Sequence, residues 1–407
     1  MPIHEVARSL KVPSYLIELA YLLILVYGNV GPAYGVAIPM AGAGALGGLA
    51  VLCLLHFGSS CAEALRPIKF ALGCSIFILL IQGLWYEESL KDGWMRYFIT
   101  WTIGLIIIQS LTFRKGFLHR FALVAFFIGC ASLPFMKVYV ATDEMIRLGG
   151  EGGVALANPN YFGMWFGFCT VYFIVLGLEA KNYIIRIGAW SAGIVCLYLM
   201  ALSVSRGSLL GVAIATVIAF QKVLKRSFLP ILGMLILLWI IYVSGIFDDI
   251  IGYYMHRGAE ESGRSRLWTW AFSEFLNSWW IGVGLSNSII SNGGEGQGYG
   301  PHNSFLFIGL SSGIIALYLY VRYLLQVTRG ALLARTQHLS DSPFILPLVS
   351  FAMLALMVAD GTFMSPWHMV VFCGALAVKK RKKRDRRGFD KKLNGSKGGK
   401  ESVEILG

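Results

Sequence analysis

Charge is what this sequence has least of. Asp, Glu, Lys and Arg make up only 14% of its 407 residues, against 56% hydrophobic, and the apolar residues come in long blocks instead of at the spacing of a half-buried soluble helix. That excludes an ordinary soluble globular chain and indicates a polytopic membrane protein. Paired cysteines are also missing. Cys53, Cys61, Cys74, Cys130, Cys169, Cys196 and Cys373 fall in or beside apolar runs with no paired spacing, so neither a disulfide framework nor a zinc site follows. There is no internal repeat and no separate soluble domain. The first apolar run has no Ala-x-Ala cleavage site after it and is expected to be a retained helix.

Blocks of roughly 17–25 apolar residues are the length of a membrane-crossing helix. They lie near 13–33, 35–56, 67–86, 94–112, 117–137, 160–178, 184–204, 207–222, 227–246, 303–325, 343–360 and 366–378, which predicts about twelve transmembrane helices in an all-α fold. The basic residues agree. With the N-terminus cytoplasmic, the alternate segments 1–12, 57–69, 113–120, 179–186, 222–226, 322–342 and 379–407 hold 27 Lys and Arg, and the opposite loops hold 8. The positive-inside rule then places both termini in the cytoplasm. The expected organisation is a twelve-helix membrane domain over residues 1–378 and a basic cytoplasmic tail over 379–407.

Net charge is +13, and the tail supplies +8 of it through twelve basic and four acidic residues. In a soluble protein such a block would suggest nucleic acid. Here Lys379-Lys380-Arg381-Lys382-Lys383-Arg384 directly follows the last span, so it reads as a topology anchor on anionic membrane lipids, with no nucleic-acid partner. Asn394-Gly395-Ser396 matches a glycosylation sequon but lies on the cytoplasmic side, where it has no use.

Three outward segments are long enough to form a site: 87–93, 138–159 and, above all, 247–302, whose 56 residues far exceed the usual connection between helices. Within the last, Ser265 to Trp280 places Leu267, Ala271, Phe272, Phe275 and Leu276 at helical spacing. This predicts an amphipathic helix at the outer membrane–water boundary, where its tryptophans are at home. The glycine-rich stretch Ser291–Gly300 after it is either a loose connector or a lid that orders over substrate.

Three motifs are empty on physical grounds. Gly42-Ala43-Gly44-Ala45-Leu46-Gly47 matches a dinucleotide fingerprint, and Gly309-Leu310-Ser311-Ser312-Gly313 matches a hydrolase elbow, but both lie inside apolar spans and lack the strand each chemistry needs. Small residues there let helices approach closely. Asp248-Asp249 are adjacent, so on a helix they point to different sides, and no carboxylate–x–carboxylate pair occurs in any outward loop. No metal and no cofactor are expected.

The chemistry is carried by the outward cations Lys91, Arg96, Lys137, Arg147, Arg206, Arg257, Arg264 and Arg266. Four of the six arginines come from two places, the turn Ser205-Arg206-Gly207 and the 257–266 stretch. Guanidinium forks take phosphate oxygens in pairs and stay charged, so converging arginines at a membrane surface suit a phosphorylated lipid, although a single arginine at a helix end usually snorkels or caps carbonyls. His302, directly before a span, adds a group that takes a proton near neutral pH. His256 and His368 are also expected on the outward side, so composition does not single out His302. Together, arginines that hold a pyrophosphate and a neutral histidine that takes a hydroxyl proton are the parts of a metal-free glycosyl transfer from a lipid pyrophosphate.

Four segments in order carry a resemblance: Ser205-Arg206-Gly207, then Ser262-Gly263-Arg264-Ser265-Arg266-Leu267-Trp268, then Trp280-Ile281-Gly282-Val283-Gly284, then His302-Asn303-Ser304-Phe305-Leu306 followed by Gly309 and Gly313. In order and spacing, over roughly residues 158–315, the chain resembles the O-antigen ligase and polymerase family, and Asn158-Pro159-Asn160 before the sixth span looks like that family too. The resemblance implies a GT-C-like membrane glycosyltransferase of the bacterial inner membrane. Its donor is a glycan on undecaprenyl pyrophosphate, presented at the periplasmic face. It further implies that Arg206 and Arg264 contact the pyrophosphate, that His302 is the base, and that Arg257 and Arg266 are secondary phosphate contacts. Arg264, four residues before Trp268, fits the family arginine better than Arg266. Pro301, where many members carry a small residue, is a departure that stiffens the loop.

The expected activity is O-antigen ligation, moving O-polysaccharide from undecaprenyl pyrophosphate to lipid A–core in lipopolysaccharide biosynthesis. The neighbouring alternatives are an O-antigen or exopolysaccharide polymerase and a protein O-oligosaccharyltransferase. A transporter would carry inverted repeats and ionisable residues near the bilayer midplane. Here Glu18 lies toward the inner end of its helix and the polar cluster is at the outer face.

Overall fold

In the computed structural model of the chain, residues 14–35, 39–57, 61–86, 95–112, 114–142, 145–150, 156, 158–224, 252, 264–288, 290–291, 298–336 and 340–378 are described. Helices α1 (Ser14–Val30), α2 (Pro39–Phe57), α3 (Lys69–Trp85), α4 (Met95–Leu111) and α5 (Phe117–Ser132) precede a hairpin of β1 (Met136–Thr142) and β2 (Met145–Gly150). Then come α6 (Pro159–Glu179), α7 (Tyr183–Leu202), α8 (Arg206–Leu224) and α9 (Arg264–Asn277). A two-residue ladder, β3 (Ile290–Ser291) with β4 (Gly298–Tyr299), leads to α10 (Ser304–Ala334), α11 (Ser342–Ala355) and α12 (Pro366–Val378).

Among the described residues, six segments are long and apolar enough to cross a membrane: Tyr15–Tyr34, Cys61–Trp85, Phe117–Phe135, Pro159–Glu179, Tyr183–Leu202 and Ser304–Ala334. Shorter apolar helices stand at the positions of α2, α4, α8, α11 and α12. The chain is an all-α polytopic membrane protein. Described helices coincide with eleven of the twelve apolar blocks; the block at 227–246 and the tail 379–407 lie outside the described residues.

Three boundaries differ from the sequence expectation, each for a local reason. The helix expected to run to residue 137 ends at Ser132, because Pro134 in the following 3₁₀ turn cannot continue the ladder, and the chain leaves as a β-hairpin. The block at 343–360 is helical only to Ala355, and residues 356–361 turn away from the axis. The block at 303–325 continues to Ala334, with a break at Gly313.

The bundle is organised around α6, which packs on α5, α7, α8 and α11 and is buried along most of its length. Aromatic side chains fill this core, with Phe168 and Phe351 both stacked near Trp367. On the other side α10 packs on α3 and α11, and the amphipathic α9 lies along α10. Ala271 of α9 is buried, whereas Phe272 and Leu276 and the following Trp279 and Trp280 are exposed. The helix expected over 265–280 is therefore present over Arg264–Asn277, with apolar side chains on its outer face. At the far end of α1, buried Glu18 is held by Arg114 at 2.5 Å and by Arg120, whose Nη2 donates to it at 3.0 Å.

The break in α10 is filled by another part of the chain. Gly313 has φ 77° and ψ −171°, so Ile314 cannot donate to Leu310 as a helix requires. Instead Ile314 N–H donates to Trp279 O at 2.8 Å, while Val283 and Gly284 N–H donate to Leu310 O and Ser311 O at 2.7 and 3.2 Å. The segment Trp279–Gly284 is a splint inserted into the helical ladder. Its approach needs glycine on both sides: a Cβ on Gly313 would stand 2.1 Å from Trp280 O, and one on Gly282 (φ 76°) 2.4 Å from Leu310 O. Thus the Trp280–Gly284 motif and the Gly309–Gly313 pattern, unrelated as sequence, are two halves of one joint.

Candidate active site

Four chain segments meet at one end of the bundle: the N-terminus of α8, the N-terminus of α9, the turn 300–304 before α10, and the turn 356–361 after α11. Each arrives for a readable reason. At α8, Ser203, Val204 and Ser205 are buried, and Ser205 Oγ is 3.0 Å from Ser208 Oγ, which turns the chain so that Arg206 opens the helix. Gly207 is required because a Cβ there would lie 2.4 Å from Val358 Cγ2. The α8 terminus therefore sits directly against the 356–361 turn.

In α9, Arg264 and Trp268 are one turn apart and share a face. Trp268 Nε1 donates to Pro301 O at 2.8 Å, and the Arg264 guanidinium points at Met357 O and Val358 O at 3.3 and 3.5 Å. This one helix face thus touches both turns of the site. Arg266, two residues from Arg264, lies about 200° around the helix and is exposed. The structure brings Arg206 and Arg264 together but directs Arg266 elsewhere, and Arg257 lies outside the described residues.

The His302-Asn303-Ser304 motif separates into three tasks. Asn303 caps α10, its Oδ1 accepting from Phe305 N at 3.0 Å and Leu306 N at 3.4 Å. Ser304 ties the helix start to the 356–361 turn, its N–H donating to Leu356 O at 2.9 Å and its Oγ to Asp360 O at 3.0 Å. His302 is left with its ring partly exposed. Its φ of 51° is matched among the described non-glycine residues only by Val204 at 50°, two positions before Arg206. Strained backbone on both sides of one spot is a mark of a functional site, all the more for β-branched Val204.

Asp360 is the residue the sequence did not single out. Its carboxylate accepts the backbone N–H of Asn303 at 3.0 Å and that of His302, so the left-handed turn at 302 aims two successive N–H groups at one anion. Its Oδ2 stands 3.8 Å from Nδ1 of His302, which is buried and without a hydrogen-bond partner. At 3.8 Å the two are neighbours without being bonded. Tyr161 of α6 completes the floor against Gly361. The available signal was a single acidic residue at the outer end of an apolar block, just before Gly361.

The electrostatics are those of a partly buried cationic cleft. Burial and then the charge of Arg206 push the Arg264 guanidinium below its ordinary pKa, with Asp360 acting the other way. Burial and the charge of Arg264 likewise lower His302, which keeps its imidazole neutral near pH 7. Burial pushes Asp360 up to about 6 against the two backbone N–H donors and Arg264. Two guanidinium groups side by side with one carboxylate leave a net positive cleft, which an anionic group would relieve. Among the described residues, the other histidines are elsewhere. His368, expected on the outward side, is 1% exposed inside α12, packed between Trp367 and Phe372, and His256 lies outside the described residues. Among the described residues no three His, Cys, Asp or Glu side chains gather where a metal ion could sit.

The class so defined is an all-α polytopic membrane protein with a cationic, histidine-bearing cleft at one end of the bundle. Residues 191–321, a stretch that contains Arg206, Arg264 and His302, match the family model described as O-antigen ligase. Members of that family are glycosyltransferase-like enzymes acting on polysaccharide and lipid substrates. Among curated proteins nothing matches the chain.

Proposed function

We propose that the protein is an O-antigen ligase of the bacterial inner membrane. It transfers O-polysaccharide from undecaprenyl pyrophosphate to lipid A–core at the periplasmic face, without a metal. What carries the reading is the convergence of Arg206, Arg264 and a neutral His302 on one cleft inside the stretch matched by the family.

In the reaction, Arg206 and Arg264 hold the donor pyrophosphate and orient the anomeric carbon. An acceptor hydroxyl attacks that carbon in a single displacement. Its proton passes to His302, the new carbon–oxygen bond forms, and the electron pair of the broken bond leaves on undecaprenyl pyrophosphate, where the arginine charge receives it. Asp360 faces the other ring nitrogen, where it can hold the tautomer that leaves Nε2 free to accept. Arg266, on the opposite face of α9, is an outer phosphate contact at most, and Arg257 is kept as a secondary phosphate contact. The organisation assigned is twelve spans over residues 1–378, with the 247–302 loop periplasmic, and a cytoplasmic tail over 379–407.

The test is ligation by purified protein in detergent with both lipids supplied. His302→Ala should keep binding lipid-linked donor yet lose about 10²–10⁴-fold in rate, the usual cost of a positioned base. Near-normal turnover would remove the histidine from the mechanism. The lipopolysaccharide gel of a deletion strain separates ligase from polymerase: a ligase mutant loses all capped species, and a polymerase mutant keeps core bearing one repeat.

A further inference from the structure

We propose that Gln82, far from the cleft in sequence and outside the matched stretch, is a positioning residue for the transfer, because it locks the splint that fixes Arg264 relative to His302. The proposal rests on the function above, in which those two side chains serve one reaction.

Arg264 and His302 are carried by different helices, which are tied near the site by Trp268 Nε1 to Pro301 O and, at the other end of α9, by the splint. From Arg264, α9 runs to Asn277 and continues through Ser278 N–H to Glu274 O at 3.1 Å and Gly282 N–H to Ser278 O at 2.8 Å, directly into the splint. On the other side, the α10 carbonyls of Leu310 and Ser311 that receive the splint lie two turns beyond His302. Whatever fixes the splint in the break at Gly313 therefore sets the lean of α9 on α10, and with it the alignment of the arginine with the base.

Gln82 touches both sides of that joint. Fully buried on α3, it donates from Nε2 to Ser311 O at 2.9 Å and stands 3.2 Å from Ser312 Oγ, while its Oε1 accepts from Leu285 N at 2.9 Å. Tyr86, one turn on, donates to Gly282 O at 2.6 Å. The amide has a donor for the helix side and an acceptor for the splint side, which no apolar side chain of similar size supplies. A buried glutamine in a membrane span is costly unless satisfied, and this one finds both a donor and an acceptor partner in the joint. Removing it leaves Leu285 N–H without its acceptor and lets α9 shift against α10. A misplacement of about 1 Å at reacting groups costs on the order of a hundredfold in rate.

Two variants test this. Gln82→Leu should reduce kcat about ten- to a hundredfold with little change in KM for the donor, since binding groups remain but their alignment with the base does not. Spin labels at exposed Thr269 of α9 and exposed Tyr318 of α10, in a cysteine-free background, should then report a broader distance distribution than in the parent protein. Should Gln82→Leu fail to fold, Gln82→Glu carries the test. A neutral carboxyl copies the amide, donating to Ser311 O and accepting from Leu285 N, whereas a carboxylate has no donor. Turnover of Gln82→Glu relative to the parent should therefore be near one at about pH 5.5 and fall steeply by about pH 8.5. Parental kcat in folded Gln82→Leu, or a pH-independent ratio for Gln82→Glu, would overturn the proposal. Failure of the proposed function reads differently: His302→Ala would keep turnover, while the label distances would still decide whether Gln82 locks the joint.

Discussion

His302 and Asp360 meet twice, once through the backbone and once as unbonded neighbours at the ring. Asp360 receives the N–H groups of His302 and Asn303, and its Oδ2 stands 3.8 Å from His302 Nδ1. The first contact sets the left-handed turn at 302, and the second puts a carboxylate where it can select the ring tautomer. One residue thus shapes the turn and faces the base.

The pH dependence follows from the directions of both shifts. The base must be neutral, and burial beside Arg264 lowers His302 below its ordinary value of 6.5, so kcat/KM should hold down to below pH 6.5 and then fall as the imidazole protonates. Asp360, pushed up to about 6, protonates in the same window, so the acid limb belongs to the pair. Asp360→Asn should lower kcat through loss of tautomer control and leave a limb fitted by a single group. For stability the signs are opposite. A carboxylate whose folded pKa is raised disfavours the fold as pH rises through about 4 to 6, whereas a histidine whose folded pKa is lowered disfavours it as pH falls below about 6.5. An acid limb for the parent protein centred above pH 6.5 would contradict the assignment of a buried neutral histidine as base.

Arg264 should not be replaceable by lysine. Its fork faces two carbonyls and the Arg206 charge in a half-buried position, and lysine offers a point charge with neither the planar geometry nor the reach to present two parallel donors. Loss of a desolvated charge contact of this kind costs about 2–4 kcal/mol in the transition state, roughly a hundredfold in rate. Purified Arg264→Lys with full turnover would sink the claim. Arg266→Lys, on the exposed face of α9, should change the rate by less than about threefold.

What could be read from the sequence was set by local chemistry. Apolar blocks gave the helices because a membrane span has a fixed length; Arg264 was preferred to Arg266 through the family resemblance, and the fold adds that it shares a helix face with Trp268. Asp360 could not be read, since a lone acid at the end of an apolar block resembles a helix cap until the turn at 356–361 delivers it to His302. The splint was hidden for a related reason. Nothing local distinguishes a glycine that lets helices approach, as Gly309–Gly313 was read, from one that breaks a helix to admit another segment. That distinction depends on Gln82, 231 residues before Gly313. The β-hairpin at 136–150 was missed because Pro134 acts within an otherwise helical run.

Topology gives the last prediction, because the site constrains it. α8 starts at Arg206 in the cleft and runs 19 residues to Leu224, about 28 Å away at 1.5 Å per residue, close to the thickness of a bilayer core. Arg264 is back in the cleft beside Arg206. The twelve-span layout proposed above expects the apolar block at 227–246, which lies outside the described residues, to return the chain across the membrane, with the basic residues Lys222, Lys225 and Arg226 at the cytoplasmic end. Single cysteines introduced into a cysteine-free background at Arg226 and Gly395 should resist an impermeant thiol reagent added to intact spheroplasts and label only after lysis. A cysteine at Gly293 should label in the intact cells. Labelling of Arg226 and Gly293 from the same side would mean that 227–246 does not cross, and the twelve-span layout with a periplasmic cleft would fall with it.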